Sequence, residues 1–249
     1  MSHHIVEAQN LEFTYPDQTP ALQNISFKIH HGESVAIVGA NGAGKSTLLL
    51  HLNGYLTPTG GQVRIGDFPL TKETLNEVRR TVGMVFQDPD DQLFMSTVFD
   101  DVAFGPLNLD LPVEEVEARV EKALTTVGLS HLKDRPPHRL SAGQKRRVAI
   151  ASVLSMSPDI LVMDEPSSGL DPRARRQLIS LLQSFHHTKI IASHDLDMVV
   201  DTCERTIVMH DGQIKADGPT QTIFEDVELL DSCSLEKPLR MQGCPTCNK

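Results

Sequence analysis

Residues 39–47 read "GANGAGKST", and this stretch restricts the possible folds more than any other feature of the chain. It matches the pattern G-x-x-x-x-G-K-[ST], a loop whose glycines let backbone N–H groups turn toward phosphate oxygens. Such a loop sits between a buried strand and a helix N-terminus, where unpaired amides and the helix dipole favour an anion. Both flanks are present. "ESVAIVG" is a continuous apolar run suited to a strand covered on both faces, and "KSTLLLHLNGYL" reads as a helix. Gly39, Asn41, Gly42, Gly44, Lys45, Ser46 and Thr47 form the expected nucleotide-binding set, with Lys45 reaching the β- and γ-phosphates and Ser46 offering its hydroxyl to Mg²⁺.

Three further apolar runs, "TVGMVFQ", "DILVMDE" and "TKIIASH", each end in a polar residue capable of chemistry. In open parallel sheets ligands gather at the carboxyl ends of strands, so Lys45, Gln87, Asp164, Glu165 and His194 are expected at one crevice. Asp164 suits a Walker-B role on Mg²⁺ through its water shell, because a hard cation prefers oxygen ligands. Glu165 is then placed to act as general base on the attacking water. His194 suits a contact to the γ-phosphate or to the water and Glu165, and Gln87 a contact to Mg²⁺ or the water. Tyr15, after the first strand, is compatible with stacking on adenine and equally with a core or rim position.

Around this centre, alternation at Val6, Ala8, then Leu11, Phe13 and Tyr15, and again at Ile25, Phe27 and Ile29, predicts an N-terminal antiparallel sheet that "QVRIGDFPL" rejoins. Residues 88 to about 157 read as a mostly α-helical insertion. Within it "VEEVEARVEKALTTVG" places Val113, Val116, Val120, Ala123, Leu124 and Val127 on one face, before a C-capping Gly128. "LDPRARRQLISLLQSF" is a helix capped by Asp171 with Pro172 at its first position, and "RTIVMHDGQIKADG" is a hairpin turning at Asp211-Gly212. Periodicity fades after about Asp226.

With 39% hydrophobic and 22% charged residues among 249, a proper core is available. No apolar run approaches the roughly 18 residues of a membrane helix, so a membrane role requires partner subunits. "MSHHIVEAQN" lacks a basic region followed by an apolar stretch, so no secretory signal is expected. Four cysteines and the nucleotide site suggest the cytoplasm. A net charge of −10 argues against a general grip on nucleic acid. The runs Asp88, Asp90, Asp91, Asp100, Asp101 and Lys145, Arg146, Arg147 read, on charge alone, as solvated faces.

A second phosphate motif complicates this picture. In "LSAGQKRR", Ser141 and Gln144 form a capping-box pattern at the start of a helix, whose free N–H groups make another anion site. Taken together and in order, "GANGAGKST", "LSAGQ", "ILVMDEP", "SSGLDP" and "IASHD" resemble the nucleotide-binding subunit of ATP-binding cassette (ABC) proteins over nearly all of residues 4–225. The resemblance implies an α/β P-loop NTPase fold with a mixed core sheet, an N-terminal antiparallel β subdomain and an inserted α-helical subdomain. It implies an ATPase using ATP and Mg²⁺ in a head-to-tail dimer, in which Ser141, Gly143 and Gln144 serve the ATP held by the other copy and Asp171 crosses the interface. Ala142 departs from the usual glycine, and its methyl restricts the backbone.

"MVFQDPDDQLFMSTVFDDVAFGPLN" is similar to the segment after the Q-loop in ATPases of energy-coupling factor (ECF) transporters. That resemblance implies a groove, lined by Asp88, Asp90, Asp91 and Gln92, that receives a basic transmembrane scaffold subunit accompanied by a substrate-binding membrane subunit. "SHDLDMVVDTCERTIVMHDGQIKADG" looks most like the cobalt and nickel importers, whose ATPase commonly forms a homodimer; vitamin importers more often pair two different ATPases. The expected organisation is a nucleotide-binding domain over 1–225, working at the cytoplasmic face of the membrane, and an extension over 226–249. Its Cys244 and Cys247 form a C-x-x-C compatible with a metal site or a plain tail. Soluble ABC ATPases of DNA repair carry long coiled coils and those of translation carry two cassettes; neither shows in these residues.

Overall fold

The structure, a computed structural model, describes residues 4–242. Strands β1 (His4–Thr14) and β2 (Pro20–His30) pair antiparallel, and their alternating apolar residues Val6, Ala8, Leu11, Phe13, Ile25, Phe27 and Ile29 all point into the core. The break in alternation between Ala8 and Leu11 is a register irregularity, with Asn10 at φ 47° and its N–H bonded to Ser26 Oγ. An extra residue here re-phases the strand so that both halves keep their apolar face inward.

β3 (Ser34–Val38) leads into helix α1 (Lys45–Leu52). β4 (Gly60–Ile65) and β5 (Phe68–Pro69) complete the sheet of order β2-β1-β4-β5. After α2 (Leu75–Thr81) and β6 (Val82–Val85), the chain makes a 3₁₀ turn at Pro89–Asp91 and enters α3 (Val98–Asn108), α4 (Val113–Thr126) and α5 (Ala142–Leu154), which pack on one another. β7 (Ile160–Asp164), α6 (Pro172–Ser184), β8 (Thr188–Ala192), α7 (Leu196–Thr202), β9 (Arg205–His210) and β10 (Gln213–Pro219) follow, then the short helices α8 (Thr220–Glu225) and α9 (Val227–Ser232).

The larger sheet has the order β10-β9-β3-β8-β7-β6 and is parallel except for β10, the mixed α/β arrangement expected. One core lies between its inner face, α1 and the antiparallel sheet; the other lies between its opposite face and the helices from α3 onward. Both faces of β3, β7 and β8 are covered, which is why these strands are unbroken apolar runs rather than alternating ones.

Local signals hold at several joints. α4 ends with Gly128 at φ 70°, Gly128 N–H bonding Thr125 O and Leu129 N–H bonding Leu124 O, the two bonds of a Schellman motif. Asp211 and Gly212 both take positive φ, as a two-residue type I′ turn requires. Val113 departs from its expected buried face: it is the first residue of α4 and is 63% exposed. Beyond Asp226, where periodicity fades, Leu230 and Cys233 are nonetheless buried, and the Asp197 carboxylate of α7 accepts from Leu239 and Arg240 N–H. Cys244 and Cys247 lie outside the described residues. Among the described residues no helix is long and apolar enough to cross a membrane.

Candidate active site

The loop 39–44 is clamped from below. A Cβ on Gly39 would sit 2.3 Å from Met209 O, so only glycine lets β9 pass this close, and the Gly212 N–H of the hairpin turn donates to Ala43 O. Gly44, at φ 99°, caps α1 without any side-chain acceptor, leaving the first amides of the helix for an external anion. Lys45 is buried, and its Nζ curls over the loop to Gly39 O at 2.8 Å and Ala40 O at 3.1 Å. Asn41, Gly42 and Ser46 are exposed on the rim.

Asp164, at the end of β7, is 5% exposed, and its Oδ1 has no hydrogen-bond partner. Burial raises its carboxyl above the usual range, opposed by a hydrogen bond from Ser46 and by the charges of Lys45 and Arg146. A desolvated carboxylate oxygen left open beside a serine hydroxyl is an oxygen donor set of the kind a hard divalent cation takes. Gln87 is exposed and lines a cleft of about 590 Å³ together with Asp164, Arg146 and Ala142.

Glu165 is held at φ 46°, a strained conformation for a residue with a Cβ. Its Oε2 collects the Ser193 hydroxyl at 3.3 Å, the His194 N–H at 3.1 Å and His194 Nδ1 at 2.7 Å. Among the described residues no hydrogen bond or ion pair engages Oε1. His194 is thus brought to Glu165 while its ring stays 63% exposed. Tyr15 is half-buried, packs edge-on against Phe13 with centroids 5.0 Å apart, and shares a 2.9 Å hydrogen bond with Thr47.

The second phosphate motif is built as its sequence suggests. Ser141 Oγ accepts from Gln144 N–H at 3.3 Å, and Gln144 Oε1 accepts from Ser141 N–H at 3.0 Å, a closed capping box. Because the serine oxygen accepts, its own proton is free to donate outward. No hydrogen bond or ion pair joins Ser141, Gly143 or Gln144 to residues 39–47 among the described residues. Ala142 is the first residue of α5 without a positive φ, so the extra methyl is accommodated. Asp171 caps α6, its Oδ1 accepting from Arg173 and Ala174 N–H, bonds that lower its carboxyl.

The basic run at 145–147 is not a solvated face. Arg146, 4% exposed, donates to Phe86 O at 2.7 Å and to Gln87 O, tying α5 to the segment that carries Gln87. Lys145 pairs with Asp90, and Arg147 bonds Val127 O and Gly143 O. Gln92 also turns its amide nitrogen inward, donating to Ala149 O and Ser152 Oγ. Charge alone cannot distinguish these positions. The usable signal is their spacing behind Ser141, which puts Arg146 on the buried side of α5 with Ala149, Ile150 and Val153.

The ABC transporter family model matches residues 22–168. A Geobacter sulfurreducens protein provisionally named as an ABC transporter ATP-binding protein is 71% identical over 249 residues, covering 100% of each chain. The energy-coupling factor transporter ATP-binding protein EcfA of Methanocaldococcus jannaschii is 50% identical over 240 residues, covering 94% of this chain and 86% of that one. Among solved structures, cbiO1 from Clostridium perfringens, described as part of the ABC transporter complex cbiONQ, superposes with a TM-score of 0.81 at 41% identity, covering 93% of this chain and 94% of that one. A dimeric, post-hydrolysis ATP-binding cassette, MJ0796, bound to ADP and Pi, gives 0.79 at 29% identity over 86% of this chain and 98% of that one. With its phosphate loop, paired carboxylates and capped second motif on this fold, the chain belongs to the ABC transporter family, as an ATP-binding subunit that hydrolyses ATP.

Proposed function

We propose that the chain powers an importer of the energy-coupling factor type for cobalt or nickel ions, as a homodimer or a heterodimer with a related ATPase, held at the cytoplasmic membrane face by a transmembrane scaffold and a substrate-binding membrane subunit. The loop 39–47 and Lys45 grip the phosphates, Tyr15 borders the adenine, and Ser141, Gly143 and Gln144 of the other copy close over the γ-phosphate, with Asp171 beside them. Glu165 takes the proton of the attacking water through Oε1 as the water oxygen bonds to the γ-phosphorus and the bond to the bridging oxygen of ADP breaks. His194 holds the Glu165 carboxylate from its other oxygen. Ser46, Gln87 and, through water, Asp164 would hold Mg²⁺, which supplies charge neutralisation at the β- and γ-phosphates. Each nucleotide touches both copies, so ATP favours the closed pair and hydrolysis releases it.

The observation that carries the transporter reading is a groove of about 670 Å³ between α2, β6, α3 and α5, lined by Tyr55, Phe86, Phe94 and Phe104 beside the turn that follows Gln87. Tyr55, Phe94 and Phe104 are 65%, 64% and 41% exposed, a concentration of uncovered aromatics that suits a docked helix. Asp101 lines it too: 3% exposed, its Oδ1 accepts from Phe94 and Met95 N–H while Oδ2 has no partner. A basic side chain from the scaffold would complete it. The metal-ion cargo rests on the resemblance of the Ser193–Gly218 stretch and on likeness to a part of cbiONQ. The tagged chain is expected to co-purify in mild detergent with membrane subunits, and cells lacking it to lose uptake of radiolabelled cobalt or nickel. Recovery free of membrane proteins contradicts the reading.

Asp101 also yields a pH prediction. Burial raises its carboxyl, opposed by the Met95 and Phe94 amides and assisted by Asp100. With the folded value above the unfolded one, the folded chain binds this proton more tightly, so stability from this group falls as pH rises from the ordinary carboxylate range through the raised value. At pH 7 the buried charge is therefore a cost. Asp101→Asn is expected to raise the melting temperature of the isolated protein at pH 7 and flatten its decline from acid to neutral pH, while weakening co-purification with the membrane subunits. A melting series over pH checks the first effect and pull-down the second.

A further inference from the structure

We propose that the Arg175–Asp195 ion pair is a positioning device that couples helix α6, whose first residues face the second copy in the dimer proposed above, to the Glu165–His194 pair. This rests on the reading of Glu165 as general base. Arg175 stands one turn into α6 from its cap Asp171, and Asp195 caps α7 directly after His194. Arg175 Nε donates to Asp195 Oδ2 at 2.6 Å and Nη2 to Oδ1 at 2.7 Å, so both carboxylate oxygens are engaged by one planar fork. Oδ1 also accepts from Met198 N–H at 3.0 Å. Burial alone would raise the Asp195 carboxyl; the Arg175 hydrogen bond, the Met198 amide and a Ser167 hydrogen bond together bring it below the usual range.

From Asp195 the hydrogen bonds continue to the carboxylate that carries the chemistry. Its N–H donates to Ser193 Oγ at 3.0 Å, and the Ser193 hydroxyl donates to Glu165 Oε2 at 3.3 Å. The intervening His194 N–H meets the same Oε2 at 3.1 Å. A shift of α6, such as engagement of Asp171 by another copy, therefore moves Arg175, the Asp195 carboxylate and the 193–195 turn as one unit. The free Oε1 of Glu165 swings with them. The pair thus lets the hydrolytic carboxylate in one copy respond to closure by the other, and it touches neither the phosphate loop nor the amides of α1.

The test is steady-state ATP hydrolysis over full ATP titrations by the purified protein, comparing Arg175→Ala, Arg175→Lys and Asp195→Asn with Glu165→Gln. Misplacing Glu165 is expected to lower kcat about tenfold or more in Arg175→Ala, with KM for ATP within about twofold. Arg175→Lys is expected to recover only part of the loss, because an ammonium does not bridge both oxygens. Asp195→Asn still caps α7, so it is expected to keep the wild-type melting temperature while kcat falls as in Arg175→Ala. A kcat within twofold of wild type in Arg175→Ala overturns the proposal. So does a parallel fall of kcat, ATP affinity and melting temperature in Arg175→Ala and Asp195→Asn, which would mark a folding brace only. If Glu165→Gln is inactive while Arg175→Ala is undiminished, this inference alone fails; if Glu165→Gln still turns over, the reading beneath it fails.

Discussion

Glu165→Gln is expected to lower steady-state phosphate release by about a hundred- to ten-thousand-fold while leaving ATP binding intact. The amide keeps the shape of the side chain and an oxygen for the Ser193 and His194 donors, so the 193–195 turn stays in place. What is lost is the basic oxygen. With hydrolysis stopped and both copies still gripping ATP, the closed dimer accumulates, and size-exclusion chromatography with light scattering in ATP is expected to show a doubled mass. Undiminished turnover in this variant removes Glu165 from the role of general base.

Gly143→Asp is expected to separate turnover from stability. A Cβ at this position would meet Ala174 Cβ at 3.5 Å and Leu170 Cδ2 at 3.7 Å, ordinary contacts, so nothing in its own chain requires glycine there. An acidic side chain in the first turn of α5 also suits the helix dipole, and the melting temperature of the isolated protein is expected to hold. Against a second copy's γ-phosphate the same carboxylate is a bulky like charge, and ATP turnover and ATP-dependent dimerisation are expected to fall roughly a hundredfold or more. A melting temperature that drops in step with activity would place the effect inside one chain and contradict the cross-copy role of residues 141–144.

What could be read in advance was whatever depends on local geometry. The phosphate loop, the box closed by Ser141 and Gln144, the Asp171 cap and the Asp211-Gly212 turn each need particular residues within a few positions, so the pattern carries the shape. The positions that the sequence pattern does not place depend on partners far along the chain. Arg146 is buried because the carbonyls of Phe86 and Gln87 arrive 60 and 59 residues away to satisfy it. Gln92 turns inward for Ala149 and Ser152, and the Arg175–Asp195 pair forms across 20 residues. Leu230 and Cys233 are covered although their own segment is too short to display a helical period. Val113 fails for another reason: the apolar period runs on to the first residue of α4, one position of the face before burial begins at Val116.

The strand that anchors the phosphate loop has a further consequence for how the protein is made. Among the described residues, the strands that pair with β3, at Ser34–Val38, are β8 at Thr188–Ala192 and β9 at Arg205–His210. A nascent chain thus exposes "SVAIV" on the ribosome long before either neighbour is translated, an interval of roughly eight to thirty seconds at elongation rates of about 5–20 residues per second. Throughout that interval the loop has its glycines and its lysine but no floor, so nucleotide capture is among the last properties the polypeptide acquires, and shielding this apolar segment falls to whatever chaperones meet it first.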